Sequence, residues 1–475
     1  MSTQSKTQET FAFDDHFRRT VQADFSGGHL SSDGGALLLR QIDRQDGISE
    51  AFSQCFLDQR DQRYCDHTLR ELLAQRLIAL ALGYEDLNDH DRLRADPLLA
   101  LCVGKSDLLG EHRLHDRDKA LASSATLNRI EVGSQRQSPY HKIHADFPAV
   151  QETLLNLSVG FLPPDTHEVV LDFDNSDNPL HGEQIRRFFH GYYENYCYLP
   201  LYCFADNLLL WAELLPADEA PVQAMLAALP RIVAALRQRF PAVRIIIRCD
   251  SGFCREELFA LCEDQLHLSY AVGMARNARL LQELDNAFFE ARIKACLCGG
   301  KARVFRAFSY RTQDSWSRLR TLIGKAEVLG DKDNPRFIVT NLPVDGWDQP
   351  GRFEPQNCYE NFYCQRGEAE NHVKQQQLDL FATRSSSHWM EANQLRLFFS
   401  AFAYLMMERL RTLALLGTPL ATATAGTLRM RLLKIAAHVL IRCRRIHIRL
   451  ASAFPLQDLF RLASSRLQMC RPMTV

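Results

Sequence analysis

Three things are scarce in this 475-residue chain, and each scarcity closes off a class of protein. Long hydrophobic runs are missing. The most apolar stretch, 395–407, is broken by Arg396 and is too short to span a bilayer, so it reads as a buried helix and no membrane partner is expected. The opening MSTQSKTQET is polar and lacks the apolar centre of an export signal, which points to a cytoplasmic protein. Metal-binding cysteine spacing is missing too. There are 14 cysteines, but only Cys296 and Cys298 stand close together, with no second close pair or His pair to complete a zinc set. Reduced thiols are the expected state. The third scarcity is acid near the C-terminus. From Arg409 onward twelve Lys/Arg face a single acid, Asp458, so this part carries +11 and residues 1–408 carry −12 beneath a net charge of −1. A basic arm on an otherwise acidic chain suggests a polyanionic partner. A helical bundle whose arginines solvate one face has the same composition, and RIHIRLASAFPLQDLFRL has helix-like apolar spacing.

What is present is ordinary for a soluble globular protein, with 46% hydrophobic and 24% charged residues, and the length implies two to four domains. Residues 1–165 carry helical spacing, clearest in 67–104, where Pro97 punctuates the run. The turn SSDGG (31–35) opens the helical ALLLRQID. A glycine turn there could hold a phosphate, but a helix cap is the favoured reading. From 166 the pattern changes to strands: HEVVLDFD, YCYLPLYCF and DNLLLWAEL. A helical segment interrupted by Pro230 follows (219–240), then the strand RIIIRC, the helix REELFALCED and the strand LSYAVGM. Helices between the later strands make the sheet partly parallel, an α/β core. Residues 295–343 return to short β runs and read as an inserted β subdomain, and strong helix resumes near Tyr359.

Three short stretches carry the chemistry. RIIIRCDSGF (244–253) leaves Asp250 at the tip of an apolar strand, where Asp-Ser-Gly is also ordinary turn composition. VVLDFDNSDNP (169–179) places Asp172 and Asp174 on one side of a strand, and neighbouring carboxylates repel unless a cation or proton lies between them. In NFYCQRGEAENHVKQQQ (361–377), Tyr363, Arg366, Glu370 and Lys374 fall within an arc of about 80° when wound at 100° per residue. Arg, Tyr and Lys suit phosphate, and Glu suits a metal. An exposed helix laced by ion pairs four residues apart is the competing reading.

Together these stretches resemble the DDE transposases of bacterial insertion sequences, in the branch with a Tyr-Arg-Glu-Lys signature. Asp174 and Asp250 are 76 residues apart and Asp250 and Glu370 are 120, the longer interval leaving room for an inserted β segment. HLSSDGGALLLRQID, LALGYEDLNDHDRLRADPLL and ENHVKQQQLDLFATRSSSHWMEANQLRLFFSAFAY extend the resemblance over nearly the whole chain. It implies an RNase H-like mixed-sheet core, flanked by helical N- and C-terminal regions. The implied division is 1–165 (helical, DNA-binding), 166–290 and 351–415 (core), 291–350 (inserted β subdomain) and 416–475 (basic, helical). The catalytic acids implied are Asp174, Asp250 and Glu370, holding two Mg²⁺ ions for which Mn²⁺ can substitute, with Asp172 sharing metal or supporting the site. Asp174 is preferred because Asp174-Asn175-Ser176 matches the family's Asp-x-Thr/Ser. Tyr363, Arg366 and Lys374 are expected to grip DNA, and so are Arg442, Arg444, Arg445 and Arg449. The signature lysine belongs at 377, where this chain has Gln377; Lys374 is the nearest substitute. The expected activity is strand cleavage at element ends and transfer into target DNA, with double-stranded DNA as partner and a homodimer in the synaptic complex. A catalytically inactive DNA-binding descendant would keep the same outline. DFDNS also fits the loop of haloacid dehalogenase-like phosphatases, with Asp172 as nucleophile, but such an enzyme has no use for the Tyr-Arg-Glu helix or the basic arm.

Overall fold

The computed structural model describes residues 10–113, 115–133, 140–330, 332–344, 346–347 and 349–469. Most of the polar opening stretch lies outside them. Two compact units result: one from residues within Met1–Ser53, Asp58–Arg129 and Arg409–Val475, the other from Gln54–Leu57 and Ile130–Glu408. The N- and C-terminal regions, read from sequence as separate, thus contribute to one unit.

The larger unit is built on a mixed sheet. Strands β1 (Glu168–Asn175), β2 (Asn195–Ala205) and β3 (Leu208–Pro216) form an antiparallel meander. Helix α1 (Pro221–Arg239) returns the chain to β4 (Arg244–Cys249), parallel to β1, and two short helices lead to β5 (Ser269–Met274), parallel to β4. The order β3-β2-β1-β4-β5 is that of an RNase H-like core. Its central strands are buried on both faces, hence the near-continuous RIIIRC, all but its first residue buried. The expected break at Pro230 does not occur. α1 runs through it, because the apolar stripe of Met225, Leu229, Ile232, Val233 and Leu236 is fully buried and offsets the lost backbone hydrogen bond.

The expected inserted β segment is present and joins the core sheet. After α2 (Asp285–Cys298), strands β6 (Lys301–Tyr310), β7 (Arg320–Leu329) and β8 (Arg336–Thr340) extend the core sheet, β8 pairing antiparallel with β5 and the order continuing β5-β8-β7-β6. An open β5 edge would leave backbone donors and acceptors unpaired, and β8 satisfies them. The extension also makes a floor. Phe305, Ile323 and Ile338 from these strands pack with Ile246, Ala271, Phe353, Tyr359 and Phe362. They hold the helical run that includes α3 (Gly367–Lys374) against the sheet.

In the smaller unit, helix Leu69–Ala81 opens with Thr68 and Glu71 in a reciprocal capping box, and Pro97 occupies the first turn of Pro97–Val103. The helical reading of 416–475 is corrected over its most basic part. Residues Ala437–Arg442 and Arg445–Leu450 are strands β9 and β10, because Arg445, His447 and Arg449 alternate strictly with Ile446, Ile448 and Leu450. Helix resumes at Gln457–Met469. The SSDGG turn serves packing. The N–H groups of Gly34 and Gly35 donate to Ile435 O (2.7 Å) and Leu433 O (3.0 Å), so neither is left for a phosphate. A Cβ on Gly35 would stand 2.3 Å from Leu432 O.

Candidate active site

β1 and β4 are parallel neighbours in register, Arg248 beside Asp172 and Cys249 beside Phe173. One step further along, Asp174 comes level with Asp250 at the carboxyl ends of both strands, where open α/β sheets place their ligands. Asp174 is buried, at 8% exposed. Asp250 caps the turn that follows β4, its Oδ1 accepting from Gly252 N–H at 2.8 Å. Turn chemistry and a carboxylate aimed at Asp174's end of the sheet are therefore one arrangement.

The third acid arrives on the helical run. Its 358–362 segment is wound wide, as a π turn; 363–366 is wound tight, as 3₁₀; α3 is regular. Tight winding brings Tyr363 and Arg366, three apart, onto one line, closer than the uniform 100° estimate. Arg366 reaches Asp174 Oδ1 at 3.7 Å and Glu370 Oε1 at 2.8 Å. Burial pushes the Asp174 carboxyl up to about 7, the nearby Asp250 and Glu370 push it the same way, and Arg366 opposes them. Asp174 and Glu370 thus share the Arg366 guanidinium, with Asp250 near enough to add to the same negative field. Among the described residues no three His, Cys, Asp or Glu side chains stand in a metal-holding arrangement, and Glu370 lies on Arg366. The donor set still suits a hard divalent cation: oxygen-only, excess negative charge, and a buried member whose proton affinity is raised.

Of the two roles expected of Asp172, its contacts are those of a supporting residue. Both its oxygens are held by Arg248, from Nε at 2.6 Å and from Nη2 at 2.7 Å. Arg248 also donates through Nη1 to Phe362 O and lies 5.3 Å from the Phe362 ring centroid. Asp172 and Arg248 therefore form a strut between the acid-bearing strands and the start of the Tyr363–Arg366–Glu370 run. Arg248 was readable as a charge inside an apolar strand, yet its cross-strand partner was not.

Tyr363 is half-buried against the sheet. A Cβ on Gly273 of β5 would stand 2.5 Å from its hydroxyl and 2.9 Å from Ser251 N, so the missing side chain makes the space Tyr363 fills. Gln377, where the signature has lysine, donates from Nε2 to Ser176 Oγ (2.9 Å) and Asp177 O (3.1 Å), fixing the turn that follows Asp174. Lys374 is exposed at the end of α3. Beside Asp250 opens a cavity of about 600 Å³ lined by Asn175, His190, Tyr192 and Tyr193. The Tyr193 hydroxyl is pushed up to about 12 by burial and by Asp177, Asp174 and Asp250. No sequence pattern singled it out. Arg442, Arg444, Arg445 and Arg449 lie in the smaller unit, exposed on the β9–β10 hairpin.

Among the described residues no helix is long and apolar enough to cross a membrane. No curated protein matches the chain. A solved structure, the piggyBac transposase synaptic complex with hairpin DNA, resembles it at 10% identity and a TM-score of 0.40, covering 94% of this chain and 86% of that one. The family model described as "Transposase DDE domain group 1" matches residues 13–472, nearly the full length, and the chain belongs to that family of DDE transposases.

Proposed function

We propose that this chain cleaves phosphodiester bonds at the ends of a bacterial insertion sequence and joins those ends to target DNA. The observation that carries the reading is the convergence of Asp174 and Asp250 on adjacent strand ends with Glu370 one helical turn beyond Arg366. Asp174, Asp250 and Glu370 would hold two Mg²⁺ ions, with Mn²⁺ as a substitute. Bound there, the metal would activate the attacking oxygen and stabilise the leaving one. The chain's own groups do the rest. Arg366, now paired with Glu370, offers a planar donor fork to a scissile phosphate, and Tyr363 fixes the helix beside Asp250's turn. Lys374 supplies a point charge one turn further along. Asp172 acts through Arg248 as a positioning residue rather than as a ligand. That pairing also weakens the phosphatase reading, which needs a free Asp172 carboxylate as nucleophile. A homodimer that pairs two element ends and works in the cytoplasm completes the proposal.

The test compares parent, Asp250→Asn and Arg366→Ala for binding and for Mg²⁺-dependent nicking of duplexes from the DNA flanking the reading frame. Asp250→Asn should bind and not nick, because affinity comes mainly from phosphate contacts. Arg366→Ala should nick poorly. Robust nicking by Asp250→Asn rejects the assignment, and a parent that binds without nicking is a DNA-binding descendant instead.

A further inference from the structure

The basic segment makes a two-stranded antiparallel ribbon with opposite faces. Register pairs Ala437 with Leu450, Val439 with Ile448 and Ile441 with Ile446 on one face. On the other it pairs His438 with Arg449, Leu440 with His447 and Arg442 with Arg445. The apolar face is turned toward the body at the ribbon's base. A Cβ on Gly34 would stand 2.6 Å from Leu450 and 3.3 Å from Ala437. On the opposite face His438 meets the Gly28 turn, a Cβ there standing 2.9 Å from its Nε2, while Arg442, Arg445 and Arg449 are exposed. β9 pairs with Leu30–Ser31 through Ala437 and His438, and Val439 N–H donates to His29 O at 2.8 Å, so from Leu440 outward the sheet is two strands wide. Cys443 and Arg444 form the turn at its tip.

The other cations of this region are mostly spent inside the unit. Arg409, Lys434 and Arg461 pair with Asp46, Asp33 and Asp458. Arg411, Arg429 and Arg466 donate to backbone carbonyls. The four ribbon arginines are exposed, and among the described residues none has a carboxylate partner. Solvating a helical bundle is no longer an account of them, since they sit on a projecting strand pair.

We propose that the β9–β10 ribbon enters the major groove of duplex DNA, with Arg442, Arg445 and Arg449 toward phosphates and base edges and Arg444 leading at the tip. A ribbon of six residues per strand is about 20 Å long, and the major groove, about 12 Å wide, admits a two-stranded ribbon. Arginine's fork matches the O6/N7 edge of guanine. The inference rests on the reading that this chain acts on DNA.

Full-length parent is compared with Arg442→Gln/Arg445→Gln/Arg449→Gln and with the corresponding triple Lys variant. Binding to a duplex from the flanking DNA is measured across a salt series, with guanine-N7 methylation interference and circular dichroism melts. The Gln variant should flatten the slope of log affinity against log salt by about 0.9 to 1.8 units, one or two of the three arginines lying on phosphates at about 0.9 each and the rest on base edges. The Lys variant should keep the parent slope but lose the N7 interference, because an ammonium replaces the phosphate charge and not the bidentate fork. The Lys variant also controls for folding. A parent slope in the Gln variant, or a parent with no N7 interference, overturns the ribbon. If the parent nicks DNA while the Gln variant is unchanged, only the ribbon falls. If binding depends on the ribbon but nothing nicks, only the catalytic reading falls.

Discussion

Asp172 and Asp174 stand two residues apart on one face of β1, at 5% and 8% exposure, yet their surroundings part completely. Asp172 is answered by a guanidinium that holds both its oxygens, and the pair ties two strands to the helical run. Among the described residues Asp174 has no such partner. Its closest guanidinium contact is Arg366 at 3.7 Å, and it faces the field of Asp250 and Glu370. A balanced buried charge holds a structure in place. An unbalanced one keeps a carboxylate in reserve for a ligand that the fold does not itself supply.

The largest expected effect separates the two aspartates by activity. Asp174→Asn, Asp250→Asn and Glu370→Gln should each cost about 4 kcal/mol of transition-state stabilisation, about 10³-fold in nicking rate, with duplex binding kept. Asp172→Asn should bring losses that follow its stability instead, and single-turnover rates normalised to folded protein distinguish the two. An Asp172→Asn protein that is fully folded and inert would reverse the assignment.

Next comes stability. Removing one member of a buried ion pair strands the other, so Asp172→Asn should lower unfolding free energy by about 3–5 kcal/mol in denaturant titration. Asp174→Asn should be neutral or stabilising without metal. The sign follows from linkage. The folded carboxyl titrates at about 7 against an ordinary 3.8, so the native state binds the proton more tightly. The parent should therefore lose stability relative to Asp174→Asn as pH rises from about 4 to about 7, with a constant difference above that. A difference that stays flat through that window would mean Asp174 is not crowded.

A smaller effect concerns the wall behind Asp250. Gly273→Ala places a methyl against the Tyr363 hydroxyl and should destabilise by about 1–3 kcal/mol while slowing nicking. Adding Tyr363→Phe removes the clashing oxygen, and part of the lost stability should return. Full independence of the two changes would show that the contact is not formed. Smallest is Gln377→Ala, at about 1 kcal/mol for the lost hydrogen bonds to Ser176 and Asp177. Gln377→Lys keeps a donor and should lie nearer the parent in both melting and nicking.

Much of the candidate site was legible because its parts are local patterns. Asp174 and Asp250 show at the ends of apolar runs, and Arg366 and Glu370 show at four-residue spacing on a helix. Arg248 drew no reading from the sequence, since its partner lies 76 residues away and the pairing depends on parallel register. Gln377's bonds span 201 and 200 residues, and Gly273's role exists only where Tyr363 packs. The ribbon was misread for a different reason. RIHIRL was averaged with the helical PLQDLFRL that follows it, and the alternation was lost in the longer window.

The sequence by itself determined the element types around the acids and the α/β character of the core, because both rest on short-range periodicity and turn composition, and it carried the family through motifs that resemble known transposases along nearly the whole chain. Tertiary structure decided which buried aspartate is neutralised, how the inserted strands extend the sheet to floor the glutamate's helix, and which way the basic segment faces. Those outcomes depend on strand register and on the order in which backbone edges are satisfied, and neither is written in any window of neighbouring residues.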